Sequence, residues 1–238
     1  MDERLQSAYN LEKSGEFQAA LDAYLQFEAV SGADDVSLSS DDRLFLARSI
    51  AACFYYLKDY PEAEKRFERI LADTSLSAET ADEVESCLYL CWLYGGQAEK
   101  AKAAFQKRVQ VRASAWDYWY LGQCCLHLHE YAEMVDYYED AVRCAESVNS
   151  DKVPFFMCHL VVADLLNNRM DEVGRLLNRL AFMQKATYGL FGITSALYAK
   201  MRGSADWKKQ YSAGLRQAKK CGYHENVELA EFLLKELG

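Results

Sequence analysis

The sequence is poor in residues that break regular structure. It holds 2 prolines and 12 glycines in 238 residues. That is too little punctuation for the frequent turns of a β-sandwich or barrel, which leaves helix. It also lacks a long apolar run. The longest stretch without a charge, Ala186 to Ala199, has 14 residues, short of the roughly 18–20 of a membrane span. The start, Met1-Asp2-Glu3-Arg4, is not followed by an apolar segment, so no secretory signal is read there and a cytoplasmic chain is expected. A basic excess is missing as well: 27 Lys and Arg face 36 Asp and Glu, a net charge of −9. That excludes a general binder of nucleic acid or anionic membrane. Gly-x-Ser-x-Gly, Walker-type Gly-Lys-Ser/Thr and Gly-x-Gly-x-x-Gly are all absent, and the four histidines form no dyad. The sequence therefore reads as a non-enzyme that needs no cofactor.

What is present is ordinary globular composition, 51% apolar and 26% charged. Eight cysteines in a chain without an export signal read as reduced thiols. The charge is uneven. Residues 1–42 carry ten acids against Arg4 and Lys13, and residues 198–222 carry seven bases against Asp206. Opposite fields at the two ends would steer weak head-to-tail self-association at low salt; alternatively each end is simply solubilised by its charge.

Five segments repeat one pattern. They are Gly15, Phe17, Ala20, Tyr24; Tyr60, Ala63, Phe67; Gly96, Ala98, Ala101, Phe105; Tyr131, Met134, Tyr138; and Met170, Val173, Leu177. Their anchors at 17, 60, 98, 131 and 170 are spaced by 43, 38, 33 and 39 residues, periods that belong to helical solenoids. Residues three and four apart share a helix face, so each segment is one apolar stripe whose small residue admits a neighbouring helix. A second amphipathic helix lies upstream of each stripe, as in Ala47, Ile50, Ala51, Phe54 and in Tyr118, Leu121, Gly122, Cys125. Ser39-x-x-Asp42, Ser77 followed by Glu79, and Ser114-x-x-Asp117 read as N-caps, and Pro154 suits a first helical turn. Gly32–Ser40 and the tract near Asn149–Asp151 read as short polar loops.

Over residues 1 to about 187 the chain resembles the tetratricopeptide repeat (TPR) family. The fourth unit carries the family pattern at Tyr118, Leu121, Gly122, Tyr131, Tyr138 and Ala141. The first carries it at Ala8, Gly15, Phe17, Ala20 and Tyr24, and the second at Ala51, Tyr60, Ala63 and Phe67. Tyr89 and Val161 stand where a small residue is usual, and the closing proline is missing. The resemblance implies an all-α superhelix: a single TPR-like solenoid domain over 1–238. Its repeat units are expected at 1–34, 44–77, 82–115, 115–148 and 154–187, with a degenerate pair at 188–221 and a capping helix at 224–237. Terminal repeats need a polar outer face, and the glutamates of the last helix supply one.

The resemblance also implies a concave face built by the first helix of each pair. Carried over residue by residue, it offers Tyr9, Phe45, Arg48, Tyr55, Tyr56, Tyr94, Trp116 and Trp119 as a groove for an apolar or amphipathic segment of a protein or peptide partner; the alternative is a tight superhelix that covers part of this face with its own next repeat or C-terminal helix. Leu93 of the third unit and Phe155, Cys158, Val162 and Leu165 of the fifth share that register. The expected role is that of a scaffold, adaptor or chaperone-like module, with a peptide-responsive or secretion-chaperone role beside it. Chaperone-tail clamps are excluded, because Leu5, Tyr9, Ser49, Glu83 and Ser86 stand where the clamp needs cations and amides. A separate reading is metal- or thiol-dependent activity at Cys124, Cys125, His127 and His129, since thiolate and imidazole suit zinc; against it stands core packing of Cys125 and a turn position for His129. Lys208, Lys209, Lys219 and Lys220, with Trp207 and Tyr211 interleaved, read as a solvated helix face.

Overall fold

The computed structural model describes residues 2–31, 38–183, 187 and 189–238. Most of the loop expected at Gly32–Ser40 lies outside the described residues, as does Tyr188, the expected start of the sixth pair. The described residues form thirteen α-helices and no strand. They are α1 Glu3–Lys13, α2 Phe17–Ser31, α3 Ser40–Tyr56, α4 Tyr60–Leu71, α5 Ala78–Tyr94, α6 Ala98–Val111, α7 Ala115–His127, α8 Tyr131–Ser147, α9 Val153–Leu166, α10 Met170–Ala181, α11 Leu190–Met201, α12 Trp207–Lys220 and α13 His224–Glu236. The helices α1 to α12 make six consecutive pairs, each joined by a short turn, and α13 follows.

The helix starts have local causes. Ser39, Ser77 and Ser114 each accept the backbone N–H three residues on, at Asp42, Thr80 and Asp117, filling one of the donors a helix start leaves open. These caps start α3 and α5 at residues 40 and 78, four residues before the unit boundaries expected at 44 and 82.

The six turns within pairs share one backbone device. Gly15, Lys58, Gly96, His129, Asn168 and Gly203 all have positive φ, between 55° and 85°. Each of the first five lies two residues before a repeat anchor. A left-handed residue there reverses the chain into the next helix, and it favours glycine because other side chains crowd the carbonyl.

The chain divides within α6 into two compact units, residues 1–104 and 105–238. In the N-terminal unit, one core gathers Leu5, Ala8, Tyr24, Phe27 and Ile50, and a second gathers Ala51, Ala63, Phe67, Val84 and Cys91. In the C-terminal unit a single larger core runs from Cys125 to Leu233. The stripe rings seven places after an anchor, Tyr24, Phe67, Phe105 and Tyr138, are buried to 2% exposure or less. The anchor Phe17 is different. It is half-buried and stacks on Tyr56 at 4.4 Å, because it opens α2 beside the turn.

Gly122 shows why a small residue is needed where two helices of a pair cross. A Cβ there would lie 2.1 Å from the Tyr138 ring. The helix α9 is buried nearly all round, with twelve of its fourteen residues buried, and α8, α10, α11 and α13 all pack on it. In α13, Ala230 and Leu233 are buried while Val227, Leu234 and Leu237 are half-buried.

Candidate functional site: an aromatic face in each unit

In the N-terminal unit the candidate residues stand on α1, α3 and α5. Near the start of α3, Phe45 meets Tyr9 edge-on at 5.6 Å, and the Lys13 ammonium lies 5.3 Å from the Tyr9 ring centroid. One turn on, the Arg48 guanidinium donates to Glu83 of α5 at 2.8 Å. The one arginine among the candidate residues is thus already engaged. The pair is 38% and 53% exposed, so it adds little stability. At the far end of α3, Tyr55 touches Tyr56, Tyr60 and Tyr94 at 5.3, 5.7 and 6.2 Å. Tyr56 is 53% exposed and carries Phe17 on its face.

Tyr60 and Phe17 belong to this array although sequence reasoning placed them only as repeat anchors. The signal was their position two residues after the left-handed turn, where the start of one helix lies against the end of the one before.

In the C-terminal unit Trp116 and Trp119 stand on α7 one turn apart, with ring centroids 5.7 Å apart. Phe155 of α9 completes a triangle, 5.5 Å from Trp116 and 5.4 Å from Trp119. Trp116 is 42% exposed. Trp119 is half-buried, and its indole nitrogen is wholly buried with no hydrogen-bond partner. Beneath the rings, Gln123 donates to the Tyr138 hydroxyl at 2.7 Å and reaches His159 Nδ1 at 3.5 Å.

His159 sits 4.6 Å from the Phe155 ring and 5.2 Å from the Trp119 ring. Burial holds this imidazole neutral, its pKa pushed down to about 3. Its Nε2 also lacks a partner. A buried polar group left unpaired costs about 1–3 kcal/mol, so two in one cluster are exceptional. Gln123 shares the concave register of the fourth unit, whereas His159 falls outside that of the fifth; the available signal was a polar side chain within the apolar stretch of a first helix.

Part of the expected groove is core. Leu93, Cys158, Val162 and Leu165 are fully buried. For the α9 residues the reason is that α11 and α13 fold over α9. The face of the C-terminal unit is therefore confined to the Trp116, Trp119 and Phe155 end.

The four metal-type residues do not meet on one centre. Cys124 and Cys125 are buried in the core. His129 holds the turn at φ 58° and bonds Tyr131 through Nδ1 at 2.7 Å. Desolvation lowers the His127 pKa, with His129 adding to the shift. Among the described residues, the ligand-type atoms that converge are those of Cys125, Glu130 and Glu133, within 4.8 Å of one another.

None of the eight cysteines is in a disulfide. Burial pushes the Cys53 and Cys91 thiols up to about 12 and raises Cys158 further, which suppresses the thiolate that reacts. On α12, Lys208, Lys209, Lys219 and Lys220 are exposed while Tyr211 is buried. No described helix is long and apolar enough to cross a membrane.

No family model and no curated protein sequence matches the chain. Solved structures do match. The apo form of RapI aligns over 98% of this chain and 72% of its own, with a TM-score of 0.71 at 12% identity. A Rap protein complexed with competence and sporulation factor aligns over the same shares, with a TM-score of 0.64 at 14% identity. A tetratricopeptide repeat protein from Parabacteroides merdae aligns over 98% of this chain and 82% of its own, with a TM-score of 0.69 at 12% identity. At such identities the likeness is one of architecture, and the architecture of this chain is the all-α helical-repeat fold of TPR proteins.

Proposed function

We propose that this protein is a non-catalytic binding module that takes an apolar or amphipathic peptide segment on its first-helix aromatics. The observation that supports it is a difference in exposure between two sets of rings. The second-helix rings seven places after an anchor, such as Phe67 and Tyr138, are buried. First-helix rings such as Tyr56 and Trp116 stay about half-exposed, at 53% and 42%. Exposed aromatic clusters mark interaction sites, and tyrosine and tryptophan dominate binding hot spots. That one structural neighbour is a Rap protein complexed with a competence and sporulation factor favours a peptide partner and a peptide-responsive role.

The test is selection of a random peptide display library on the full chain, followed by affinity measurements on Tyr56→Ala and Trp116→Ala. Enriched apolar peptides that bind at least tenfold more weakly to one of these variants support the reading. Peptides indifferent to both variants, or no enrichment, contradict it. Weak self-association between segments 1–42 and 198–222 is a separate proposal. Light scattering should show a mass that rises with concentration at low salt only, and a constant monomer mass removes it.

A further inference from the structure

Trp119 Nε1 and His159 Nε2 are buried without hydrogen bonds, although almost all buried polar groups in folded proteins are paired. Their rings meet edge to face at 5.2 Å, so both unpaired atoms lie in one ring cluster. The tautomer follows from the neighbour. The Gln123 side-chain nitrogen lies 3.5 Å from His159 Nδ1, and an amide NH2 group only donates. His159 Nδ1 is then the acceptor, and in a neutral imidazole the proton sits on Nε2. Both unpaired atoms are N–H donors.

A pair of donors calls for an oxygen. The rings in contact with Trp119 and His159 are those of Trp116, Tyr120, Tyr138 and Phe155, and these and the Gln123 amide are uncharged. An ionised carboxylate in such a pocket would be left unpaired at high cost, whereas a neutral carbonyl needs no counter-charge. We infer that Trp119 Nε1–H and His159 Nε2–H form a donor pair for one backbone carbonyl of a bound peptide, with the adjacent peptide side chain held against Trp116 and Phe155. Trp116 is the most exposed ring of the cluster, at 42%, and the carbonyl reaches the buried donors only if a ring of the cluster moves aside. This inference rests on the binding reading above and names the recognition chemistry of its C-terminal face.

The experiment uses peptides enriched from the random display library on the full chain. Each peptide is remade with a backbone ester at successive positions, because an ester carbonyl is the weaker acceptor. Affinities are measured on the unaltered protein, on Trp119→Phe and on His159→Phe. The Trp119 indole and His159 ring N–H resonances are followed on binding.

The expected result is a loss of about tenfold at one ester position, the weight of one well-placed hydrogen bond. Each variant should show a similar loss, the ester should cost less on Trp119→Phe, where one donor remains, than on the unaltered protein, and both N–H resonances should move downfield. The ester series needs no altered protein, so it decides even if a variant folds poorly. Peptides that bind through Tyr56 with both N–H resonances unmoved overturn the inference and leave the binding reading intact. A single water bonded to both donors in the free and the peptide-bound crystal structures also overturns it. If no peptide is enriched, both fail together.

Discussion

The helices α3 and α9 hold the same place in their pairs, as first helices, yet they live in different surroundings. In the N-terminal unit α3 buries five of its seventeen residues, Leu46, Ser49, Ile50, Ala51 and Cys53, and leaves Tyr55 and Tyr56 at the surface end. In the C-terminal unit α9 buries twelve of fourteen. The repeat pattern is the same; the covering differs, since α11 and α13 close over α9. Charge differs too. Residues 1–104 hold twenty acids and ten bases, and residues 105–238 hold sixteen acids and seventeen bases. The fuller covering of α9 goes with buried polar side chains, His159 and Asp164. One fold thus supplies an open aromatic face in the first unit and a narrow one with buried donors in the second.

The strongest way to break this comparison is to show that anchors and face residues melt alike. Phe67→Ala and Tyr138→Ala should each cost about 3–5 kcal/mol in chemical unfolding, as large-to-small core changes do. Gly122→Ala should cost about 1–3 kcal/mol, the range of overpacking, because its methyl meets the Tyr138 ring. An unfolding curve for Gly122→Ala that overlays the parent would mean that the two helices can part freely.

The acid behaviour sharpens the contrast, because both strongly shifted groups other than thiols and tyrosines lie in the C-terminal unit. The folded pKa of His159, about 3, lies below the unfolded value. The unfolded chain then binds the proton first, and stability is lost as pH falls from about 6.5 toward 3. Asp164 has the opposite sign. Burial raises it to about 6 despite Arg169 beside it, so its contribution falls as pH rises from 3.8 through about 6. Melting curves between pH 3 and 8 should show a shallower acid-side loss for His159→Phe and a gain above pH 6 for Asp164→Asn. The same slopes in parent and variants would contradict the burial of both groups.

A smaller effect separates turn from ligand. His129 at φ 58° occupies a position glycine fills in three of the six turns. His129→Gly should raise stability by up to about 1 kcal/mol, by relieving left-handed strain that costs roughly 1–2 kcal/mol, less the entropy that glycine adds to the unfolded chain. A large loss, or loss of a bound metal on dialysis with a chelator, would return His129 to a ligand role.

Much of the fold was legible because it is local. Caps at Ser39, Ser77 and Ser114 and stripes such as Phe17, Ala20 and Tyr24 depend on neighbours within one or two turns. The sixth pair was less legible. It crosses on Gly192 and Gly214, where a Cβ on either would meet the other helix within 3.2 Å, so the stripe of Trp207, Tyr211 and Leu215 was legible but the crossing itself was not. The face was legible as a list and illegible as a surface. Register named Tyr56 and Cys158 alike, but covering by α11 and α13 is a long-range fact that no repeat pattern carries. The donors on Trp119 and His159 were hidden for the same reason, since being unpaired depends on everything that fails to approach.

The central claim is that exposed first-helix rings serve binding while the deep second-helix rings serve folding. It is tested most directly by measuring unfolding free energy and peptide affinity together on Tyr56→Ala, Trp116→Ala and Phe67→Ala, with peptides enriched on the unaltered chain. The account predicts that the first two variants lose no more than about 1 kcal/mol of stability, with at least one losing about 2 kcal/mol or more of binding, and that Phe67→Ala loses about 3–5 kcal/mol of stability. Tyr56→Ala and Trp116→Ala that unfold as readily as Phe67→Ala, or that keep both stability and affinity, would contradict it.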